Sequence, residues 1–194
     1  MSNAQNVTAG KPKVGGAIFR APLGTTVPTS ATASLDAAFK QLGYVTEDGV
    51  TNSNSPSSEN VKAWGGDIVM SSQTEKPDTF QFSLMEATNV EVLKAVYGDA
   101  NVSVNATTGE ITVHANSVQQ PNCEWVRDMV LNNGGAKRIV RPDAGVSAVG
   151  DIVYKDGGAV TYNTTISALP DGEGSTHHEY IKPVINSSTL PIGG

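Results

Sequence analysis

The chain lacks most of what chemistry needs. Its 194 residues include one cysteine, Cys123, so no internal disulfide can form and a stapled secreted framework is excluded. No apolar run approaches the about 20 residues of a membrane-spanning helix, and the N-terminus lacks the apolar stretch of a signal peptide. Charge is scarce: 16% of residues are charged, against about 25% in an average domain. The 13 Lys and Arg against 19 Asp and Glu leave a net charge of −6. No basic run occurs, which argues against a surface that grips nucleic-acid phosphates. Lys137, Arg138 and Arg141 form the densest basic spot and read as a solvated strand edge or an interface pair.

Catalytic motifs are missing as well. The Gly-Gly pairs at 15–16, 65–66, 134–135 and 157–158 have neither the spacing nor the Lys-Ser/Thr of a phosphate loop, and read as turns and bulges. No Gly-x-Ser-x-Gly occurs. His177 and His178 lie near Glu173 and Glu179, but neighbouring side chains of an extended segment point to opposite sides and cannot readily share one ion. Cys123 reads as a small buried hydrophobe. Trp64 and Trp125 read as core residues, each on the apolar side of a strand-like run. Asn-x-Ser/Thr triplets begin at Asn6, Asn101, Asn105, Asn163 and Asn186, and read as a by-product of abundant Asn and Thr. No catalytic, cofactor-binding or metal-binding residue is assigned, and no cofactor is expected. An enzyme such as a glycan hydrolase would need two carboxylates placed across a cleft, and nothing in the sequence places them.

What remains is small, polar and strand-forming. Apolar residues are 38% and the 20 glycines raise that share, close to the about 45–50% (glycine included) of globular domains. Residues 1–13 read as a flexible N-terminal arm, and residues 14–194 as a single domain. A strand is expected at 14–21, and a short helix at 34–43, where Ser34 can cap and Gly43 can terminate a Leu35, Ala38, Phe39, Leu42 stripe. Residues 46–60 read as a long contact loop. Period-two alternation predicts strands at 61–72 and 78–87, joined as a hairpin by residues 73–77. The clearest helix spans 88–97, with Thr88 and Glu91 at capping-box spacing and Gly98 as its stop. Two short strands flank residues 107–109, and further strands are expected at 123–131, 136–142, 146–155, 158–170 and 180–184. The Asn132-Asn133-Gly134-Gly135 and Asp156-Gly157 turns join the middle runs.

The order of these segments resembles the major tail tube proteins of long-tailed, non-contractile bacteriophages. The resemblance lies in Gly15-Gly16-Ala17-Ile18-Phe19-Arg20 and Ala21-Pro22-Leu23-Gly24-Thr25-Thr26. It continues in Leu42-Gly43-Tyr44-Val45 with Asp48-Gly49-Val50, and in Trp64-Gly65-Gly66-Asp67-Ile68-Val69. The passage Phe80-Gln81-Phe82-Ser83-Leu84-Met85-Glu86 followed by Val92-Leu93-Lys94-Ala95-Val96-Tyr97-Gly98 completes it. It covers roughly residues 14 to 170. It implies a mainly β fold: a β-sandwich or barrel-like subunit with a flanking α-helix, an extended N-terminal arm and a long inter-strand loop. It further implies a virion structural protein, assembled in the host cytoplasm, whose six-membered rings stack into a tube. The implied partners are other copies of the chain, the tape-measure protein, and the tail terminator and tail tip proteins. DNA would pass through without specific binding, and no membrane is involved. Some members carry a C-terminal immunoglobulin-like domain, for which this chain is expected to be too short. The rival reading is a β-rich adhesin or binding module.

On this reading the strand runs at 61–72, 78–87, 146–155 and 158–170 supply a lumen-lining sheet. Alternation assigns the lumen face to Asp67, Ser71, Thr79, Gln81, Ser83, Thr161, Asn163, Thr165 and Ser167, with the opposite face packed on the helix from Thr88. Contacts between rings are expected from Glu47, Asp48, Asn52, Asn54, Ser57 and Glu59. A weakly charged bore would let DNA slide, since attraction to phosphates would trap it.

Overall fold

Alternating side chains and positive-φ turns organise the computed structural model, which describes residues 6–13 and 16–184. Residues 1–5 of the expected arm, Val14 and Gly15 of the expected first strand and the Asn186 triplet lie outside the described residues. The strands are β1 (Gly10–Pro12), β2 (Ile18–Pro22), β3 (Lys40–Gln41), β4 (Val45–Asn54), β5 (Ser57–Lys62), β6 (Ile68–Glu75), β7 (Asp78–Leu84), β8 (Val102–Val104), β9 (Ile111–Val113), β10 (Cys123–Leu131), β11 (Ala136–Val149), β12 (Tyr162–Ala168) and β13 (His178–Lys182). One α-helix, α1 (Val90–Tyr97), follows β7. Strand accounts for 46% and helix for 7%, so the fold is mainly β, a large antiparallel sheet with one helix, in keeping with the β-sandwich class.

The large sheet runs in the order β3-β2-β10-β11-β12-β7-β4, with β1 added to β10 and β13 added to β11. β11 changes partner along its length. Residues 136–140 pair with β13, and residues 144–149 pair with β12. The switch falls at Pro142, opposite an irregularity between Cys123 and Trp125 on β10. A proline has no N–H to give a ladder, so a bulge is where a sheet tolerates one. One continuous strand therefore replaces the separate runs expected at 136–142 and 146–155, and the Asp156-Gly157 turn sits in a longer loop.

The main core lies on one face of this sheet. Phe80, Phe82, Leu84, Trp125, Tyr162 and Ile166 meet Val92, Leu93 and Val96 of α1 there. Burying a side chain of this size contributes about 1.5–3 kcal/mol, so this seam holds α1 down. The cap of α1 is Asn89, whose side chain accepts from the Glu91 N–H at 3.0 Å, where Thr88 was expected. A smaller cluster on the opposite face unites Ala21, Phe39, Val126 and Val140.

The helix expected at 34–43 does not form. Asp36 turns the chain by accepting from the Ala38 N–H at 2.8 Å, and Leu42 N–H then bonds to the Ile18 carbonyl at 3.0 Å. Phe39 enters the smaller cluster and Leu42 the main one, a division between faces that a strand makes and a single helical stripe cannot. So short a helix has little stability of its own to resist this. The expected flexible arm also departs from expectation in part, since residues 10–12 form β1 on the edge of β10.

The region 46–75 differs most. The expected loop at 46–60 is strand β4, a break at Ser55-Pro56, and the start of β5. The expected hairpin between 61–72 and 78–87 is absent; β6 pairs with β5, and β7 pairs with β4. The two pairs form one long hairpin interrupted at Pro56 and Pro77, where each proline removes a ladder donor. Beyond the break every residue of β5 and β6 is exposed. Trp64, expected in the core, sits at the hairpin turn and is 107% exposed. Gly65 and Gly66 supply the positive φ values, 118° and 99°, that the turn requires.

Candidate functional site

Three features stand out from the residues upward: a polar strand face, a buried cationic cluster beside a cavity, and the protruding hairpin. The first comes directly from register. Ser83 pairs with Asn163, Gln81 with Thr165 and Thr79 with Ser167, so six of the nine residues assigned to the lumen face share one face of β7 and β12. Gln81 Nε2 donates to Asn163 Oδ1 at 3.1 Å across it. Thr51 and Ser53 of β4 lie opposite Gln81 and Thr79 and extend the face. Gly145 of β11 lies opposite Ser167, and Ser147 Oγ donates to the Thr165 carbonyl at 3.3 Å. None of these side chains is charged. Sequence reading passed over the β4 and β11 members because β4 carries few apolar residues to reveal its alternation and β11 is bulged.

The remaining three lumen candidates separate from this group. Thr161 immediately precedes β12, whereas Asp67 belongs to the hairpin turn and Ser71 to β6, outside the large sheet. The ring-contact candidates are likewise dispersed. Glu47 and Asp48 lie in a bulge where β4 slips between Val45 and Val50. Asn52 is held within the chain, donating to Asp78 Oδ1 at 2.7 Å and to the Thr79 carbonyl at 3.1 Å. Asn54 ends β4 opposite Asp78, and Ser57 and Glu59 lie on the exposed β5.

The four-strand segment under the polar face has two open sides among the described residues. β4 pairs only with β7. On the other side the β10 ladder stops at Ala144, so residues 145–149 pair with β12 alone. Such edges present unpaired backbone donors and acceptors to a further strand.

The basic spot, expected as a solvated strand edge or an interface pair, is mostly internal. Arg138 is 2% exposed. Its fork meets Asp128 at 2.6 and 2.8 Å, and its remaining amino group donates to the Ser30 and Ala33 carbonyls at 3.1 and 2.7 Å. Arg141, equally buried, lies over the Phe80 ring, and its Nε and Nη2 have no hydrogen-bond partner among the described residues. Burial pushes Arg141 well below the usual arginine range and the Arg127 charge adds to this, against a smaller opposing pull from Asp78 and Glu179. Arg127 is also pushed down by burial, with Glu179 opposing. Guanidinium groups keep their proton at any ordinary pH, so these two cations store an electrostatic cost in the sheet.

Arg127 forms part of the wall of a cavity of about 590 Å³ between the β4 bulge, β10 and the N-terminal segment. Ala17, Val45, Val50 and Met129 give it apolar walls, with Tyr44 at its exposed side. Lys13, Glu47 and Asp48 contribute charge of both signs. The Arg127 Nε, buried here, has no hydrogen-bond partner among the described residues.

His177 and His178 face different partners, Asp78 and Asp171. Among the described residues no group of three His, Cys, Asp or Glu gathers to hold an ion. Cys123 is buried and accepts from Arg20 Nε at 3.2 Å. Trp125 is 1% exposed, and its indole N–H donates to the Ala144 carbonyl at 3.1 Å.

The chain is thus a mainly antiparallel β-class subunit with open strand edges, a polar strand face and a projecting hairpin. The chain belongs to the phage tail tube protein family, which it matches over residues 1–188. It is therefore a structural component of the virion tail, a building block of the tube. No curated protein matches the sequence.

Proposed function

We propose that copies of this chain close side by side into six-membered rings, and that the rings stack into the tail tube that delivers DNA into the host. The observation that carries this is the uncharged polar face on four adjacent strands, β4-β7-β12-β11, bounded by an open edge on each side. Setting β4 of one copy beside residues 145–149 of the next satisfies both edges and closes a barrel. The polar face then lines the bore, with Thr79, Gln81, Ser83, Asn163, Thr165 and Ser167 toward the lumen. Thr161 joins them at the strand entrance, while Asp67 and Ser71 lie on the projecting hairpin and serve contacts between copies. Glu47, Asp48, Ser57 and Glu59 serve the same contacts. Before ejection the bore holds the tape-measure protein; afterwards DNA slides through it without specific binding. Assembly proceeds in the host cytoplasm, and terminator and tip proteins cap the ends.

Electron microscopy of purified protein over a concentration series should show rings and tubes; persistent monomers would overturn the reading. The bore assignment has its own check. Asn163→Cys in a Cys123→Ser background should react with a bulky maleimide before assembly and be shielded afterwards. Equal labelling in both states would place residue 163 outside an enclosed channel.

A further inference from the structure

We infer that the 590 Å³ cavity beside Arg127 receives the Trp64 hairpin tip of a second copy of this chain. The inference rests on the tube-assembly reading and names the surfaces that join its subunits. The hairpin tip needs a partner. Trp64 is wholly exposed, and Val61, Ile68, Val69 and Met70 are 46–64% exposed around it. An indole and its neighbours in water forfeit the burial that makes tryptophan the foremost anchor at interfaces. Exposed large apolar side chains concentrated on one hairpin in this way mark an interaction surface.

The cavity has the complementary features. Its apolar walls, Ala17, Val45, Val50 and Met129, suit the ring. Its volume lies within the about 300–1,000 Å³ range of sites that engulf a bound group. Its charges match those of the tip. Arg127, 7% exposed and with Nε unpaired among the described residues, and Lys13 offer positive charge to the carboxylate of Asp67. Glu47 and Asp48 on the cavity wall offer negative charge to the ammonium of Lys62. Burying a cation without a close counter-charge is costly, and a carboxylate arriving beside Arg127 offsets part of that cost.

The tip cannot fill the cavity of its own chain. About a dozen strand residues separate Val50 at the cavity from Lys62 at the tip, about 40 Å of extended chain at roughly 3.3 Å each. The ladders β4-β7 and β5-β6 keep that span extended up to and beyond the proline break. The occupant that fits is the same tip on another copy displaced by that distance.

Two proteins test this, both Cys123→Ser: one carries Ala63→Cys beside Trp64, the other Tyr44→Cys at the cavity mouth. The two are mixed, allowed to polymerise and treated with a short bis-maleimide. A 63–44 link between molecules, mapped by mass spectrometry and found only in the mixture, is the expected result. Tubes in micrographs without that link would overturn the docking while leaving the tube-assembly reading intact. If tubes fail to form, the same treatment of the concentrated protein still reads the contact, and absence of the link there overturns the docking on its own. Asp67→Lys is expected to raise the concentration needed for polymerisation on the order of tenfold. An unchanged threshold would refute the Arg127 pairing. Circular dichroism identical to that of the parent shows that these exposed substitutions leave the subunit folded.

Discussion

Asp78 is 2% exposed and ties together three parts of the chain. It accepts hydrogen bonds from Asn52 of β4, and from Thr176 and His177 of the segment that leads into β13. Burial raises its pKa, but the hydrogen bonds from Thr176, His177 and Asn52 outweigh that, and the net direction is downward from the ordinary Asp value. The sign follows from linkage. A carboxyl whose folded pKa is depressed adds stability that is present above its unfolded pKa of about 3.9 and is lost as pH falls through the folded value. Asp78→Asn is therefore expected to lower stability at neutral pH by about 1–3 kcal/mol. It should also flatten the acid limb of the stability profile. Urea unfolding midpoints compared between about pH 6 and pH 2.5 check both parts; parallel acid limbs in parent and variant would rule the role out.

At the scale of elements, Arg138 fastens the non-repetitive segment around residues 30–33 to the β10-β11 ladder through Asp128 and two carbonyls. Arg138→Met strands the buried Asp128 carboxylate and is expected to cost about 3–5 kcal/mol. Adding Asp128→Leu should recover much of the loss, because removing both charges costs far less than removing one. Denaturant titration of the three proteins decides it, and an additive double variant would contradict the account. This clamp was not legible in the sequence, because an arginine between Lys137 and Ile139 looks like an exposed strand position until its partner strand is known. Legibility elsewhere follows the same physics. Residues 78–84 and 162–168 can be read because one face is buried and the other wet, which writes period two into the side chains. The helix at 90–97 can be read from its Val90, Leu93, Tyr97 spacing and the Gly98 stop, although the residues it buries are Val92, Leu93, Ala95 and Val96. The hairpin at 57–75 hides its nature, because its apolar residues mimic core alternation while staying exposed. Six members of the polar face were accessible from alternation alone; Thr51, Ser53 and Ser147 needed the pairing register.

For the whole molecule, the central division is between a body that stabilises itself and a hairpin arm, β5-β6, that does not contribute to it. β5 and β6 are exposed throughout and pair only with each other, whereas Asn54 and Asp78 already face each other at the end of the β4-β7 ladder. Excising residues 55–77 therefore leaves two strand ends that an Asn-Gly turn can join in the natural hairpin geometry. Because no core side chain is removed, the shortened protein is expected to keep the stability of the full chain within about 0.5 kcal/mol and to stop at single rings at concentrations where the full chain forms tubes. Unfolding midpoints and micrographs taken side by side separate the possibilities. A truncated chain that unfolds easily would make the arm part of the fold, and one that still builds tubes would leave the edges of the four-stranded segment as the sole agents of assembly. Rings without tubes, with stability retained, would place the axial joint in the hairpin and lateral closure in the open edges of β4 and β11.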